Sequence, residues 1–254
     1  MQYGICTSPE NTHLYAAAGF DFIELNVQQF LQGEAEESAF LAEWEKVRTC
    51  GLPSRAANAF IPGHLAVTGP KADLARLETY AQTICRRAEI AGLKTIVFGS
   101  GGARMIPEGF DRAHAWEQLL DFGRMASEVA ARHGVTIVAE PLNKKECNVL
   151  NSVGECAKYV REINHSNMRL LADSYHWWQD DNDEAALIEA ASLLHHVHLA
   201  TAANRIAPGE EPADFSRFLA LLNEGGYRGP ISIEATWRDA KKNAARAFEI
   251  ISTR

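Results

Sequence analysis

The chain has 254 residues, 46% of them hydrophobic, and a formal net charge of −8 with no basic run. That balance argues against affinity built on neutralising phosphates, so nucleic acid is not an expected partner. No window approaches ~18 consecutive apolar residues, the start Met1-Gln-Tyr-Gly-Ile-Cys has no basic n-region, and five scattered cysteines (Cys6, Cys50, Cys85, Cys147, Cys156) lack any Cys-x-x-Cys pair, so the expectation is a cytoplasmic protein with reduced thiols and no membrane span.

Short β-rich runs alternate with amphipathic stretches along the chain. The strand candidates are residues 2–6, 20–26, 54–60, 94–98, 135–140, 169–173, 196–199 and 231–234. Several are continuously apolar, as parallel strands buried on both faces tend to be. Residues 74–91 carry Leu74, Leu77, Ala81, Ile84, Cys85 and Ala88 at helical spacing and stop at Gly92; residues 115–133 behave alike and stop at Gly134. Ser152 followed by Glu155 reads as an N-cap with an acid three residues on. The alternation predicts parallel βαβ units. An open doubly wound sheet alternates too. Length, a count of eight, and polar residues gathered at strand C-termini favour an α/β (β/α)8 TIM barrel with its active site on that rim. No linker divides the chain, so residues 1–254 are expected to form one domain.

Four strand-like segments end on, or carry, groups able to hold a metal: Glu140, Asp173, His198 and Glu234. The steps between them are 33, 25 and 36 residues, close to one strand-plus-helix unit, so a cyclic fold brings all four to one rim. A single acid at a strand end is usually a helix N-cap; four in consecutive units point to a site. Three carboxylates and one imidazole are a mostly oxygen donor set that suits Mn²⁺, Mg²⁺ or Co²⁺ and also accepts Zn²⁺. No cysteine joins them, which excludes a structural zinc set.

The runs Ala139-Glu-Pro-Leu-Asn143, Asp173-Ser-Tyr-His176, Val197-His-Leu199, Asn204-Arg205 followed by Pro208-Gly209, and Ile233-Glu234 resemble the sugar-phosphate isomerase/epimerase superfamily, the xylose-isomerase-like TIM barrels. The nearest relatives by motif are the ketose 3-epimerases of the D-tagatose 3-epimerase type and the hydroxypyruvate isomerases. The resemblance implies that Glu140, Asp173, His198 and Glu234 ligate one divalent ion. It implies that Glu140 and Glu234 also serve as the catalytic pair on opposite sides of the carbon that loses and regains a proton. Glu146, His176 and Arg205 match residues that hold the substrate. One departure stands out: the family's Gly-Glu-x-Asn-Arg run is here Ala200-Thr-Ala-Ala-Asn-Arg205, without the glutamate and one residue longer from His198.

The chemistry is coherent by itself. A metal on a carbonyl and its neighbouring hydroxyl stabilises an enediolate while a carboxylate takes the adjacent proton. Return to the opposite face is epimerisation; return to the next carbon is aldose–ketose isomerisation. The expected partner is therefore a small sugar or sugar phosphate. A lyase or dehydratase acting on a keto-sugar or ketoinositol with the same fold is the alternative. A phosphodiesterase is disfavoured by charge and by a fourth strand that ends Phe98-Gly99 without histidine, and a non-catalytic sugar binder by the complete ligand set. Pairing into a homo-oligomer is left open.

Other features have two readings. Phe98-Gly-Ser-Gly-Gly-Ala-Arg104 either cradles phosphate, with Arg104 adding charge, or is a tight turn. Of Trp177 and Trp178, one is expected to wall the pocket and one to pack. Glu24 either bonds a substrate hydroxyl or braces a neighbouring Arg or His; Asn58 and Phe60 share its rim. Strand alternation puts His196 and His198 on one face and His195 on the other.

Overall fold

The computed structural model describes residues 1–253. Eight parallel strands close into a barrel in chain order: β1 (Tyr3–Cys6), β2 (Phe22–Asn26), β3 (Ser54–Asn58), β4 (Thr95–Phe98), β5 (Thr136–Ala139), β6 (Met168–Asp173), β7 (Leu194–Leu199) and β8 (Ile231–Ile233). Pairing of β1 with β8, Tyr3 opposite Ile231, completes the ring. The longer helices between and after them are α1 (Thr12–Ala18), α2 (Glu37–Arg48), α3 (Leu74–Ile90), α4 (Arg112–Arg132), α5 (Val153–Ile163), α6 (Glu184–Ala190), α7 (Ser216–Glu224) and α8 (Ala240–Ser252). This is a (β/α)8 TIM barrel, and an open doubly wound sheet is ruled out by the β1–β8 ladder. Among the described residues no helix is long and apolar enough to cross a membrane.

Local signals set the helix ends. Asp73 accepts the Arg76 N–H at 3.1 Å to start α3, and Asp111 accepts the His114 N–H at 2.7 Å, which starts α4 three residues ahead of the expected 115. In α5 the Ser152 hydroxyl accepts the Glu155 N–H at 3.0 Å while the Glu155 carboxylate accepts the Asn151 N–H at 2.7 Å, a reciprocal cap of the expected kind. Gly92 and Gly134 turn the chain after α3 and α4 with φ of +75° and +63°, a conformation glycine reaches without a Cβ penalty.

The strands end slightly earlier than their sequence patterns. β5 stops at Ala139 and β8 at Ile233, so Glu140 and Glu234 are the first residues beyond them. Each still donates its backbone N–H to the neighbouring strand, Glu140 to Phe98 O at 3.3 Å and Glu234 to Leu199 O at 3.1 Å. The ladder therefore holds both acids at the rim even though the strands have ended. The main core lies between strands and helices, with Phe98 and Phe122 4.9 Å apart. A separate trio, Val97, Val138 and Leu171, forms its own cluster.

Candidate active site

Glu140, Asp173, His198 and Glu234 meet at the C-terminal rim, their donor atoms all within 4.8 Å of one another. β5, β6, β7 and β8 are consecutive in the barrel, and Asp173 and His198 are paired directly across β6 and β7. His198 Nδ1 lies 3.2 Å from Glu140 Oε1, 3.5 Å from Glu234 Oε2 and 3.9 Å from Asp173 Oδ2. Asp173 divides its work: Oδ1 accepts the Tyr175 and His176 N–H groups at 2.6 and 3.3 Å, while buried Oδ2 has no hydrogen-bond partner.

Such a crowd of carboxylates perturbs its own titration. Burial, reinforced by Glu234, pushes the Asp173 carboxyl up to about 6 against the pull of Arg205. Burial raises Glu140 as well. Burial also opposes ionisation of Glu234, but His198 and Arg205 outweigh it and hold that carboxyl at about 2. His198 is driven well above the usual imidazole range because Glu24 and Glu234 overcome its burial. Three carboxylates around one imidazole nitrogen, with an orphaned buried Oδ2 among them, are the surroundings a divalent cation satisfies.

The other edge of His198 faces inward. Its Nε2 is 2.9 Å from Glu24 Oε1, and Glu24 Oε2 is 2.7 Å from His196 Nε2. β2 and β7 are not neighbours in the ring, so these contacts cross the barrel interior. Glu24 thus braces histidines, the second of its two sequence readings, and His196 and His198 do share a strand face. Asn58 donates to Glu234 Oε1 at 2.7 Å.

Next to the four lie the three residues expected to hold substrate. The Asn143 backbone N–H donates to His176 Nδ1 at 3.0 Å, so Nδ1 is an acceptor and the ring proton sits on Nε2. That Nε2 is buried without a hydrogen-bond partner. Asn143 Nδ2 also donates to Glu146 Oε1 at 2.9 Å. Arg205 is ion-paired with Glu234, lies 3.6 Å from Glu146, and stacks 5.0 Å over the Tyr175 ring. The longer loop before Arg205 does not take it away. Arg205 itself adopts φ +51°, and Thr201 ties the turn by accepting the Arg205 N–H on its carbonyl at 3.1 Å and the Ile206 N–H on its hydroxyl at 3.0 Å. Asn143 was present in the quoted motif without a role; its position three residues before Glu146 was the available signal.

The family model described as the xylose isomerase-like TIM barrel matches residues 13–253. The chain belongs to this family. Two curated relatives are a 3-dehydro-D-guloside 4-epimerase of Escherichia coli (strain K12), 26% identical over 226 residues that cover 87% of this chain and 84% of the relative, and an L-ribulose 3-epimerase of Methylomonas sp. (strain DH-1), 26% identical over 260 residues that cover 94% and 88%. Among solved structures, a D-allulose 3-epimerase from Methylomonas sp. in complex with D-allulose superposes with a TM-score of 0.86 at 22% identity, covering 100% of this chain and 97% of that one. The curated relatives are epimerases and isomerases, and the chain is an enzyme of that class.

Within this xylose isomerase-like barrel the structure bears on two further sequence readings, and for the glycine-rich loop it favours the turn over the phosphate cradle. Arg104 is fully buried and donates to the carbonyls of Phe98 at 2.8 Å, Glu140 at 2.7 Å and Leu150 at 3.4 Å. Its charge is spent on backbone oxygens, so it adds none to a phosphate cradle. The preceding glycines serve close approach: a Cβ on Gly99 would meet Glu140 Oε2 at 2.2 Å, and one on Gly101 the Glu146 carbonyl at 2.9 Å. The second reading concerns the tryptophans. Trp177 and Trp178 both stack on Phe218, at 5.4 and 6.0 Å, and Trp178 also on Phe215 at 5.3 Å. The helical turn after β6 carries both toward α7, so each has a packing partner there.

Proposed function

We propose that this chain, acting as one barrel domain over residues 1–254, is a divalent-metal-dependent epimerase or isomerase of a ketose or related keto-sugar. The observation that carries the reading is the convergence of Glu140, Asp173 and Glu234 on His198 Nδ1, with Asp173 Oδ2 left without a hydrogen-bond partner. The four residues are the proposed ligands, and Mn²⁺, Mg²⁺ or Co²⁺ suits their donor set better than Zn²⁺. When bound, the ion supplies Lewis acidity, drawing electron density from the substrate carbonyl as the neighbouring carbon becomes acidic.

The remaining steps belong to side chains. Glu140 after β5 and Glu234 after β8 are the outer pair of four consecutive strands, so a substrate carbon held between them is approached from two sides. One carboxylate takes the proton and the other returns one, which inverts the centre. Delivery to the adjacent carbon instead gives the aldose–ketose exchange. The unpartnered Nε2–H of His176 donates to a substrate oxygen, while Arg205 and Glu146 orient neighbouring hydroxyls. Burial of the His176 ring excludes water from its bond to substrate and strengthens it.

The free sugar fits better than its phosphate. The Arg104 guanidinium is consumed by three carbonyls, and Arg205 is already engaged by Glu234 beside a net negative cluster. The names of the two curated relatives given above, both sugar epimerases, support the same class.

The test is to load the chain with Mn²⁺ or Mg²⁺, incubate it in D₂O with ketoses, ketose phosphates and hydroxypyruvate, and follow carbon-bound deuterium by NMR. Deuterium at the inverted carbon of a free ketose, abolished by chelator and restored by metal, is the expected result. Exchange accompanied by loss of water would replace this reading with the dehydratase. No exchange on any member, with metal bound, would remove the proposed proton transfer.

A further inference from the structure

Below the proposed ion, the barrel interior holds a carboxylate between two imidazoles, and proton transfer as described has no use for it. Glu24, on β2, is fully buried, with Oε1 2.9 Å from His198 Nε2 and Oε2 2.7 Å from His196 Nε2. We infer that Glu24 is a positioning residue that locks His198 in its Nε2–H tautomer and so makes Nδ1 the metal ligand, with His196 anchoring Glu24 from the other side. The inference rests on the metal-dependent reading above.

The argument is one of donors and acceptors. An ionised carboxylate only accepts, so both Nε2 atoms that face Glu24 carry protons. With the proton on Nε2, the ring presents Nδ1 to three carboxylate oxygens 3.2 to 3.9 Å away, where a bound cation would replace the proton that otherwise sits between them. Lone pair against acceptors is repulsive until a cation stands between them. The opposite tautomer would donate Nδ1–H to Glu140, close the coordination position, and set a bare Nε2 against Glu24.

His196 fits the same scheme. Its Nδ1 is buried and has no hydrogen-bond partner. A stranded buried N–H costs about 1–3 kcal/mol, so of the two tautomers the one with its proton on Nε2, toward Glu24, is favoured. Pinned at both oxygens, Glu24 cannot rotate away from His198. Such outer partners fix imidazole orientation and raise ligand basicity, and their loss typically lowers metal affinity by about 10–100-fold.

Glu24→Gln tests this with little change in volume. An amide offers one acceptor oxygen and one donor NH₂, so it can serve one Nε2–H but forces the other histidine toward the opposite tautomer. Mn²⁺ alone is titrated calorimetrically into the stripped wild-type chain and the variant, alongside circular dichroism. Mn²⁺ binding weakened ~10–100-fold in a variant with wild-type ellipticity supports the inference. Equal affinity, within about twofold, overturns it while leaving the metal reading intact. A wild-type chain that takes up neither Mn²⁺ nor Mg²⁺ removes the metal reading and this inference with it. Should Glu24→Gln fail to fold, ¹⁵N-histidine NMR of the wild-type chain loaded with diamagnetic Zn²⁺ decides instead. His198 is then expected with Nε2 protonated and Nδ1 coordinated; a protonated Nδ1 overturns the inference.

Discussion

Gly99 makes room for Glu140: a methyl group at residue 99 would stand 2.2 Å from Glu140 Oε2. The glycine follows β4 and the acid follows β5, and the two strands are in register with Phe98 opposite Ala139. The absence of a side chain on one strand end therefore positions the charged one on the next. Gly99→Ala is expected to keep the barrel but displace Glu140, and a misplacement near 1 Å costs ~10²-fold in turnover. Steady-state rates of the metal-loaded variant check this, and near-normal kcat would show that Glu140 does not need its present rotamer.

Glu234→Gln preserves the shape of a side chain that accepts from Asn58 and pairs with Arg205. Removal of one of the two proposed proton-transfer groups should lower turnover by ~10²–10⁴-fold with the circular dichroism unchanged. Solvent deuterium incorporation is the sharper readout, since it follows proton removal even when the product is not released. A variant that exchanges deuterium at the wild-type rate would transfer the role to another residue.

Arg205→Ala removes a guanidinium that bridges Glu234, Glu146 and the Tyr175 face. The main expected effect is a higher KM, because a substrate-orienting cation is lost. Arg205→Lys should restore only part of it, since an ammonium cannot both pair with the carboxylates and stack on the ring. An unchanged KM would mean that substrate binds out of reach of this loop.

Arg104→Met separates a structural arginine from a phosphate-binding one. Three backbone carbonyls lose their charged donor in a buried setting, and one unsatisfied buried group already costs about 1–3 kcal/mol. A melting temperature lowered by several degrees is expected, with no change in inhibition by inorganic phosphate. Weaker phosphate inhibition in a variant of wild-type stability would return the glycine-rich loop to an anion-binding role.

Chelation should abolish activity without unfolding the barrel, because β1 to β8 close through backbone ladders that need no ion. Activity lost to EDTA and recovered with Mn²⁺, at constant ellipticity, is the expected pattern. Activity that survives exhaustive chelation would contradict metal dependence.

The eight strands were readable in the sequence because parallel strands buried on both faces are apolar runs, here separated by helical patterns. Asp73, Asp111 and Ser152 start helices through bonds made within a few residues, so the signal is local, and of the three Ser152 is the one read as a cap from sequence. Glu140, Asp173, His198 and Glu234 were legible for a related reason: each follows or ends its own strand, and a closed ring of equal units converts similar sequence steps into one rim. The strand ends themselves were read a residue or two long, since Glu140 and Glu234 continue the ladder bond without continuing the strand.

What the sequence determined by itself was the repeating unit, the direction of each strand and the residue type at each strand end, because these depend on neighbours a few positions apart. Only the closed barrel decided which groups face one another across its interior. Alternation places Glu24, His196 and His198 on inward faces, but no periodicity says that residue 24 meets residues 196 and 198 across more than 170 positions of chain. Arg104 shows the same limit from the other side: a charge beside glycines is an anion site or a buried clamp according to where the β5 carbonyls lie. Those partners are set by ring closure and by the space left inside it, and both are properties of the assembled fold.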